Sequence, residues 1–370
     1  MYLGFSKGSR GELNTIIVSV DVDVCFMEDR YSRFRVLAEI GEEGIQRLRN
    51  ARVAVVGIGG LGSVSARQLT SLGVGFLRIV DRDIVEVSNL QRQLLYTQAD
   101  IGKPKVEVAM QRLNVLNPDV IVEPMAISVT EGTADRVVQG MDLIVDGLDS
   151  FKPRYALNRA CIRHKVPYVF AGALAAVGNM TTIIPGYTAC LECIFGEVSE
   201  DQPTCATVGI YPTVLGVMAN LQVQEVLRII LGSMPLLANQ LLLFDIEKFH
   251  LDLLPLQSHE NCSVCRRLVD VSPKEVDSQL EITELCTAET FLVNSTIAVP
   301  IDIAKASELL REKYSIIAQS PFGIQLQYKR GIQVSLVGEG NILVKGVKTP
   351  QKAERIYQRI LRLIEEALNP

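Results

Sequence analysis

The chain has no tryptophan, only three histidines and just 6% aromatic residues among its 370. His164, His250 and His259 sit in no nucleophile or metal-ligand motif, so each reads as structural or surface, and imidazole chemistry is not expected. No G-x-x-x-x-G-K-[ST] sequence occurs, which argues against a Walker-type phosphoryl-transfer site. An excess of positive charge is also missing. With 37 Lys and Arg against 42 Asp and Glu, the net charge is -5, and nothing draws the whole surface to nucleic acid or to an anionic membrane. Nor is there an unbroken apolar span: the longest uncharged stretch, Val166 to Leu191, is cut by Pro167, Gly172, Gly178, Asn179, Pro185 and Gly186, as suits strands and turns. Near the N-terminus Val18, Val20, Val22 and Val24 alternate with Ser19, Asp21 and Asp23. That is a strand period, and its acids make a poor signal-peptide core, so a cytoplasmic location is expected. Eight cysteines without an export signal point to reduced thiols, metal ligands or chemistry rather than to a disulfide framework.

What is present is a composition for burying a core: 48% hydrophobic and 21% charged residues, in a length that suits two domains or one with an appendage. Strands are expected at Arg52 to Val56, Phe76 to Asp81, Val120 to Glu123, Leu143 to Asp146 and Val166 to Ala171. Between them, helices are expected at Ser63 to Leu72, Val106 to Leu116, Thr133 to Gln139 and Arg154 to Lys165. This alternation predicts an α/β fold, a Rossmann-like, mostly parallel sheet with helices on both faces. After Cys265 the texture changes. A helix at Asp302 to Lys313, short strands at Ser315 to Ala318, Ile324 to Tyr328, Ile332 to Val337 and Ile342 to Lys345, and a last helix capped by Thr349 with Pro350 at its first position predict a small α+β C-terminal domain. The expected division is an N-terminal extension over 1–29, a nucleotide-binding domain over 30–270 and the small domain over 271–370. The last has twelve basic and twelve acidic residues and no catalytic motif.

Gly57-Ile58-Gly59-Gly60-Leu61-Gly62 follows a strand and opens a helix, where glycines permit a tight turn and leave helix N-terminal amides to face phosphate. Asp81 ends the next strand, where a carboxylate can accept both ribose hydroxyls. Together they imply an adenosine nucleotide without distinguishing NAD, FAD and ATP. Beyond Asp81 come Asn89, Arg92, Lys103 and Lys105. Hydride transfer has no use for such a cluster, whereas attack on a triphosphate does: departing pyrophosphate carries several negative charges that Arg, Lys and Mg²⁺ stabilise. A solvated charged loop is the alternative, stronger for Lys103 than for Arg92 or Lys105.

Gly57-Ile58-Gly59-Gly60-Leu61-Gly62, Ser88-Asn89-Leu90-Gln91-Arg92-Gln93 and Gly102-Lys103-Pro104-Lys105, preceded by Arg30-Tyr31-Ser32-Arg33-Phe34, resemble the ThiF/MoeB/HesA family, relatives of the ubiquitin-activating enzymes. The resemblance covers about Arg30 to Cys265. It implies an ATP-dependent adenylyltransferase that joins the C-terminal glycine of a small β-grasp protein, a ubiquitin-like or sulfur-carrier protein ending in Gly-Gly, to AMP with release of pyrophosphate. In that light Asp81 resembles the ribose ligand, and Asn89, Arg92 and Lys105 the phosphate-contacting set. Asp149 resembles an essential Mg²⁺-associated aspartate, and Arg33 an arginine that reaches the neighbouring subunit's ATP, which implies a homodimer. The family usually has Asp-Asn where this chain has Asp149-Ser150. An NAD-dependent oxidoreductase and a non-catalytic nucleotide-binding scaffold are the alternatives.

Cys190-Leu191-Glu192-Cys193 and Cys262-Ser263-Val264-Cys265 are two C-x-x-C hooks, the set for a closed Cys₄ tetrahedron around Zn²⁺. The metal would pin the end of the α/β region to its middle. Cys205 resembles the cysteine that attacks the adenylated carboxylate in some family members; a small buried side chain is the alternative. Cys25, Cys161 and Cys286 stand alone and read as packing residues.

Overall fold

A computed structural model describes residues 4–7, 13–16, 30–196, 198, 205–266, 280–284, 289–295, 301–337 and 340–368. The strand expected at Val18 to Val24 lies outside the described residues, as do Cys25 and Cys286. A hairpin of β1 (Gly4–Lys7) and β2 (Leu13–Ile16) comes first, then α1 (Ser32–Arg35) and α2 (Gly41–Asn50). Strand and helix next alternate: β3 (Arg52–Val56), α3 (Gly60–Leu72), β4 (Phe76–Val80), α4 (Lys105–Leu116), β5 (Ile121–Met125), α5 (Ala134–Val138), β6 (Leu143–Asp146), α6 (Phe151–His164) and β7 (Tyr168–Leu174). β8 (Val177–Ile183), α7 (Leu191–Phe195), α8 (Cys205–Val208), α9 (Pro212–Ile230), β9 (Gln240–Asp245) and β10 (His250–Pro255) complete the first part.

These strands form one eight-stranded sheet in the order β10-β9-β8-β7-β6-β3-β4-β5. The run from β7 to β5 is parallel and the other three strands are antiparallel. Val53 to Val56 are fully buried because each face of β3 meets helices. Val53 and Val55 join the core under α3, α4 and α9, while Ala54 and Val56 join that under α5 and α6. Pro124 is tolerated within β5 because β5 is an edge strand. The fold class expected from the sequence is the one found.

Element ends differ in instructive ways. β4 stops at Val80, leaving Asp81 just past the strand. β5 starts later and runs further than the apolar run suggested. The sequence did not predict the α9 helix; it lies beside α3 on the same face of the sheet, packed on β7 and β8, and begins with Pro212 in its first turn.

The second sheet is antiparallel throughout: β11 (Leu280–Glu284), β12 (Thr290–Ser295), β16 (Asn341–Lys345), β15 (Ile332–Val337), β14 (Gly323–Lys329) and β13 (Ser315–Ser320), in that spatial order. It has two strands more than expected: β11 carries two glutamates, and β12 holds a continuous apolar run, Phe291-Leu292-Val293, without the alternation of a half-buried strand. One face, through Val293, Leu326, Val334 and Val344, packs on α10 (Ile303–Arg311) and α11 (Pro350–Leu368). The other face turns toward the first sheet. Val337 enters its core, Ser128 Oγ donates to Asn341 Oδ1 at 3.4 Å, and Gly323 leaves room for Pro104, whose Cγ would stand 3.3 Å from an added Cβ.

Candidate active site

The glycine turn joins β3 to α3 at the carboxyl ends of the parallel strands. Gly57 has φ +88°, and a Cβ there would stand 2.5 Å from the Gly147 carbonyl oxygen; one on Gly62 would stand 1.7 Å from the Gly57 carbonyl. Those two positions need glycine for the β3, α3 and β6 backbones to touch. A Cβ on Gly59, by contrast, would meet only Gln93 Nε2 at 3.7 Å, so protein does not fill the space over that residue.

Asp81 lies directly beyond β4. Its Oδ2 accepts from Ile58 N at 2.7 Å and its Oδ1 from Asp83 N at 2.8 Å, so the acid also fixes the entry to the glycine turn. Burial pushes its carboxyl above the ordinary range, although Lys105 pulls the other way. The chain between Asp81 and Lys105 is a long loop with a closed neck. Val85 N donates to Lys103 O at 2.8 Å, Gly102 N to Val85 O at 2.9 Å and Lys105 N to Asp83 O at 2.9 Å. The neck sets Lys105 Nζ 2.9 Å from Asp83 Oδ2, with the lysine side chain 6% exposed. Burial alone would lower the Lys105 ammonium, but Asp83 and Asp81 outweigh it and hold the group above its usual value. Asp83 is depressed: Lys105 and Arg82 overcome the opposing effect of burial.

Asn89 is buried and accepts from Glu86 N at 3.1 Å. Arg92 Nη1 donates to Ser88 O at 2.8 Å. Asp149 is exposed beyond β6 and close enough to Lys105 to raise its pKa. The structure therefore brings Asp81, Lys105 and Asp149 around the open side of the glycine turn, with Asn89 and Arg92 on the same loop. Lys103 is not in this group; it pairs with Asp100 at 3.3 Å. Arg33 is exposed on α1, and no described residue pairs with it. Cys205 opens α8, and its side chain is outside the described residues.

Sequence reasoning missed the support beneath Asp149. Arg154 Nε lies 2.9 Å from Asp146 Oδ2, and Arg154 Nη2 donates to the carbonyls of Leu148 at 2.6 Å and Ala171 at 2.9 Å. Asp146 also accepts from Leu148 N and Tyr168 OH, both at 2.8 Å, and Gln222 Nε2 donates to its carbonyl. Burial raises the Asp146 carboxyl in spite of Arg154. Asp83 was also passed over, although its place two residues after the ribose acid was a signal.

Away from this site the two C-x-x-C hooks meet. Sγ separations are 3.9 Å for Cys190 and Cys193, 3.7 Å for Cys190 and Cys262, and 3.6 Å for Cys193 and Cys265. Four thiolates each about 2.3 Å from a tetrahedral Zn²⁺ would be about 3.8 Å apart, so the donor set fits that ion. His259 N donates to Cys193 Sγ at 3.4 Å, in the manner of amides that steady metal-bound sulfur. Among the described residues no helix is long and apolar enough to cross a membrane.

Residues 31–264 match the profile described as the ThiF family. A SAMP-activating enzyme E1 of Haloferax volcanii is 38% identical over 239 residues, which are 64% of this chain and 88% of that protein. A sulfur carrier protein ThiS adenylyltransferase of Bacillus subtilis is 31% identical over 339 residues, covering 90% of this chain and 99% of that one. Among solved structures, Escherichia coli MccB with ATP superposes with a TM-score of 0.57 at 27% identity, over 64% of this chain and 74% of that chain.

Proposed function

The chain belongs to the ThiF family and is an adenylyltransferase, and we propose that it activates the C-terminal glycine carboxylate of a ubiquitin-like or sulfur-carrier protein as an acyl-adenylate at the expense of ATP. The observation that carries this reading is the placement of Lys105 against Asp83 and Asp81, beside the unfilled space at Gly59 and within electrostatic reach of Asp149. The amides at the start of α3 face the phosphates, and Asp81 takes the ribose hydroxyls. Lys105 exchanges part of its pairing with Asp83 for phosphate oxygen, and Arg92 turns from the Ser88 carbonyl to the same chain of phosphates.

The reaction needs no general base, because the attacking carboxylate is already ionised at neutral pH. One carboxylate oxygen bonds to the α-phosphorus as the bond from that phosphorus to the bridging oxygen breaks, and the electron pair leaves with pyrophosphate. Arg92 and Lys105 hold that oxygen and its neighbours while the charge grows. Mg²⁺, held by Asp149 together with phosphate oxygens, would add positive charge at the same place; one exposed carboxylate suits an ion that keeps most of its ligands from substrate and water. Zn²⁺ at the four cysteines would be structural, since all four donor positions are protein thiolates.

We assign residues 30–270 to the activating unit and 271–370 to an appended α+β unit. Arg33 reaches the pocket of a second copy in a homodimer, and Cys205 serves only steps after adenylation. Incubation with ATP, Mg²⁺ and a β-grasp protein ending in Gly-Gly should release pyrophosphate. An Asp149→Ala variant should bind ATP and lose turnover. Turnover kept by that variant would remove the reading.

A further inference from the structure

The charges on the outer face of α11 run against what a helix favours. Its apolar side, through Ala353, Ile356, Tyr357, Ile360 and Ile364, is buried in the core of the second sheet. On the other side Lys352, Arg355, Arg359 and Arg362 are all exposed, and they follow one another at helical spacing. At 1.5 Å of rise per residue the row is about 15 Å long. Each member has the next as a like-charged neighbour three or four residues on, which destabilises a helix. Lys352 stands in the first turn, where the helix dipole disfavours a cation, while Glu365 and Glu366 come near the other end, where it disfavours an anion. Among the described residues the ion pairs of this unit are Lys305 with Asp302 and Lys348 with Glu289, so none of the four cations is paired. The row therefore does nothing for the helix that carries it.

An aromatic platform adjoins the row. Tyr314 and Tyr328, both partly exposed, stack with ring centroids 5.2 Å apart and planes at 24°. Lys329 Nζ lies 6.0 Å from the Tyr328 ring, and Arg359 of the row hydrogen-bonds the Tyr314 side chain. Cations in a straight line beside stacked rings fit a partner whose anions repeat regularly and which has flat groups to stack. Successive phosphates and unpaired bases of a single strand supply both, and guanidinium is the cation best shaped for phosphate. A duplex keeps its bases inside and offers the tyrosines nothing; an acidic protein surface or a membrane answers the charge but not the rings. The net charge of -5 for the whole chain confines the attraction to this face.

We propose that the outer face of α11, together with the Tyr314 and Tyr328 stack, binds single-stranded nucleic acid. The face lies on the side of the second sheet turned away from the first sheet, so a bound strand leaves the candidate active site open. This function is separate from adenylation and does not rest on it.

Fluorescence anisotropy of the full chain with a labelled oligouridylate of about 16 nucleotides tests this. Four neutralised phosphates, at about 0.7 each in the log–log salt slope of a single strand, should make affinity fall about fiftyfold between 50 and 200 mM salt. Arg355→Gln, Arg359→Gln and Arg362→Gln made together keep good helix formers at exposed positions. They should weaken binding about tenfold or more at 50 mM salt and reduce the fall to about threefold, with the melting temperature and pyrophosphate exchange of the wild type. Tyr328→Leu should weaken binding about tenfold and leave the salt dependence unchanged, since it removes stacking and no charge. A wild type that leaves the oligouridylate unbound at 50 mM salt overturns the proposal, as does a folded arginine variant that binds like the wild type. Displacement of the labelled strand by polyglutamate or by phosphatidylserine vesicles as readily as by unlabelled oligouridylate, at equal charge, also overturns it and assigns the row to an acidic protein or a membrane.

Discussion

Arg154 reaches back from α6 beneath the turn that carries Asp149 and meets Asp146 with 2.9 Å between Nε and Oδ2, both side chains at most 7% exposed. The pair ties the end of β6 to the first turn of α6, and the same guanidinium holds the Leu148 carbonyl. The turn that carries Asp149 is therefore braced by a buried charge pair.

Arg154→Ala leaves the Asp146 carboxylate buried without its cation. Breaking such a pair costs about 3–5 kcal/mol, so the variant should melt well below the wild type in calorimetry. Its remaining folded fraction should lose turnover more than ATP binding, because the Asp149 turn is released while the glycine turn is not.

Lys105→Ala removes the cation that the neck of the loop holds in place. Pyrophosphate exchange should fall on the order of a hundredfold or more, the usual cost of deleting one group that stabilises developing charge. Lys105→Arg should recover little, since the 6% exposed lysine sits where a wider head does not fit.

The same pair sets a pH expectation. Asp83 lies below its ordinary 3.8, so the stability it contributes is fully present above that value and is lost as pH falls through the lower folded one. Lys105 lies above its ordinary 10.5, so its contribution is complete below that value and is lost only as pH rises through the folded one. ATP affinity measured by titration should therefore show no alkaline decline from Lys105 between about pH 7 and 10.

Cys265→Ser should abolish a single bound zinc measured by elemental analysis and lower the melting temperature. Chelation of the wild type should do the same. The adenylation site lies elsewhere, so pyrophosphate exchange measured at low temperature, with the protein still folded, should fall far less than stability does.

Cys205→Ala should keep wild-type pyrophosphate exchange, because adenylation uses no thiol. Any adduct with the carrier that a reducing agent releases should vanish in the same variant, as read by intact-mass spectrometry.

Much of the first sheet was legible because its signals are local. A buried β-branched run, glycines that no other residue can replace at Gly57 and Gly62, and an acid at the end of the following strand lie within thirty residues of one another. Lys105 was legible as a cation near phosphate, but its pairing with Asp83 was not, since a closed loop neck brings residues 22 apart into contact. Arg154, Asp146 and Tyr168 carry no motif; their meeting depends on β6, α6 and β7 packing together. The contact of Ser128 with Asn341 spans 213 residues and joins two sheets, so no pattern in either segment announces it. β12 escaped notice because Phe291, Leu292 and Val293 are all buried, so its two faces do not split into apolar and polar.

The four-cysteine cluster also decides where the connection to the small sheet departs. Cys265 is held against Cys193, and the next described strand begins at Leu280. With the hooks joined, positions 72 residues apart meet, and the stretch that carries α9, β9 and β10 is closed into a loop at its base. A metal there would act as a clasp on the antiparallel half of the first sheet, at a distance from the glycine turn.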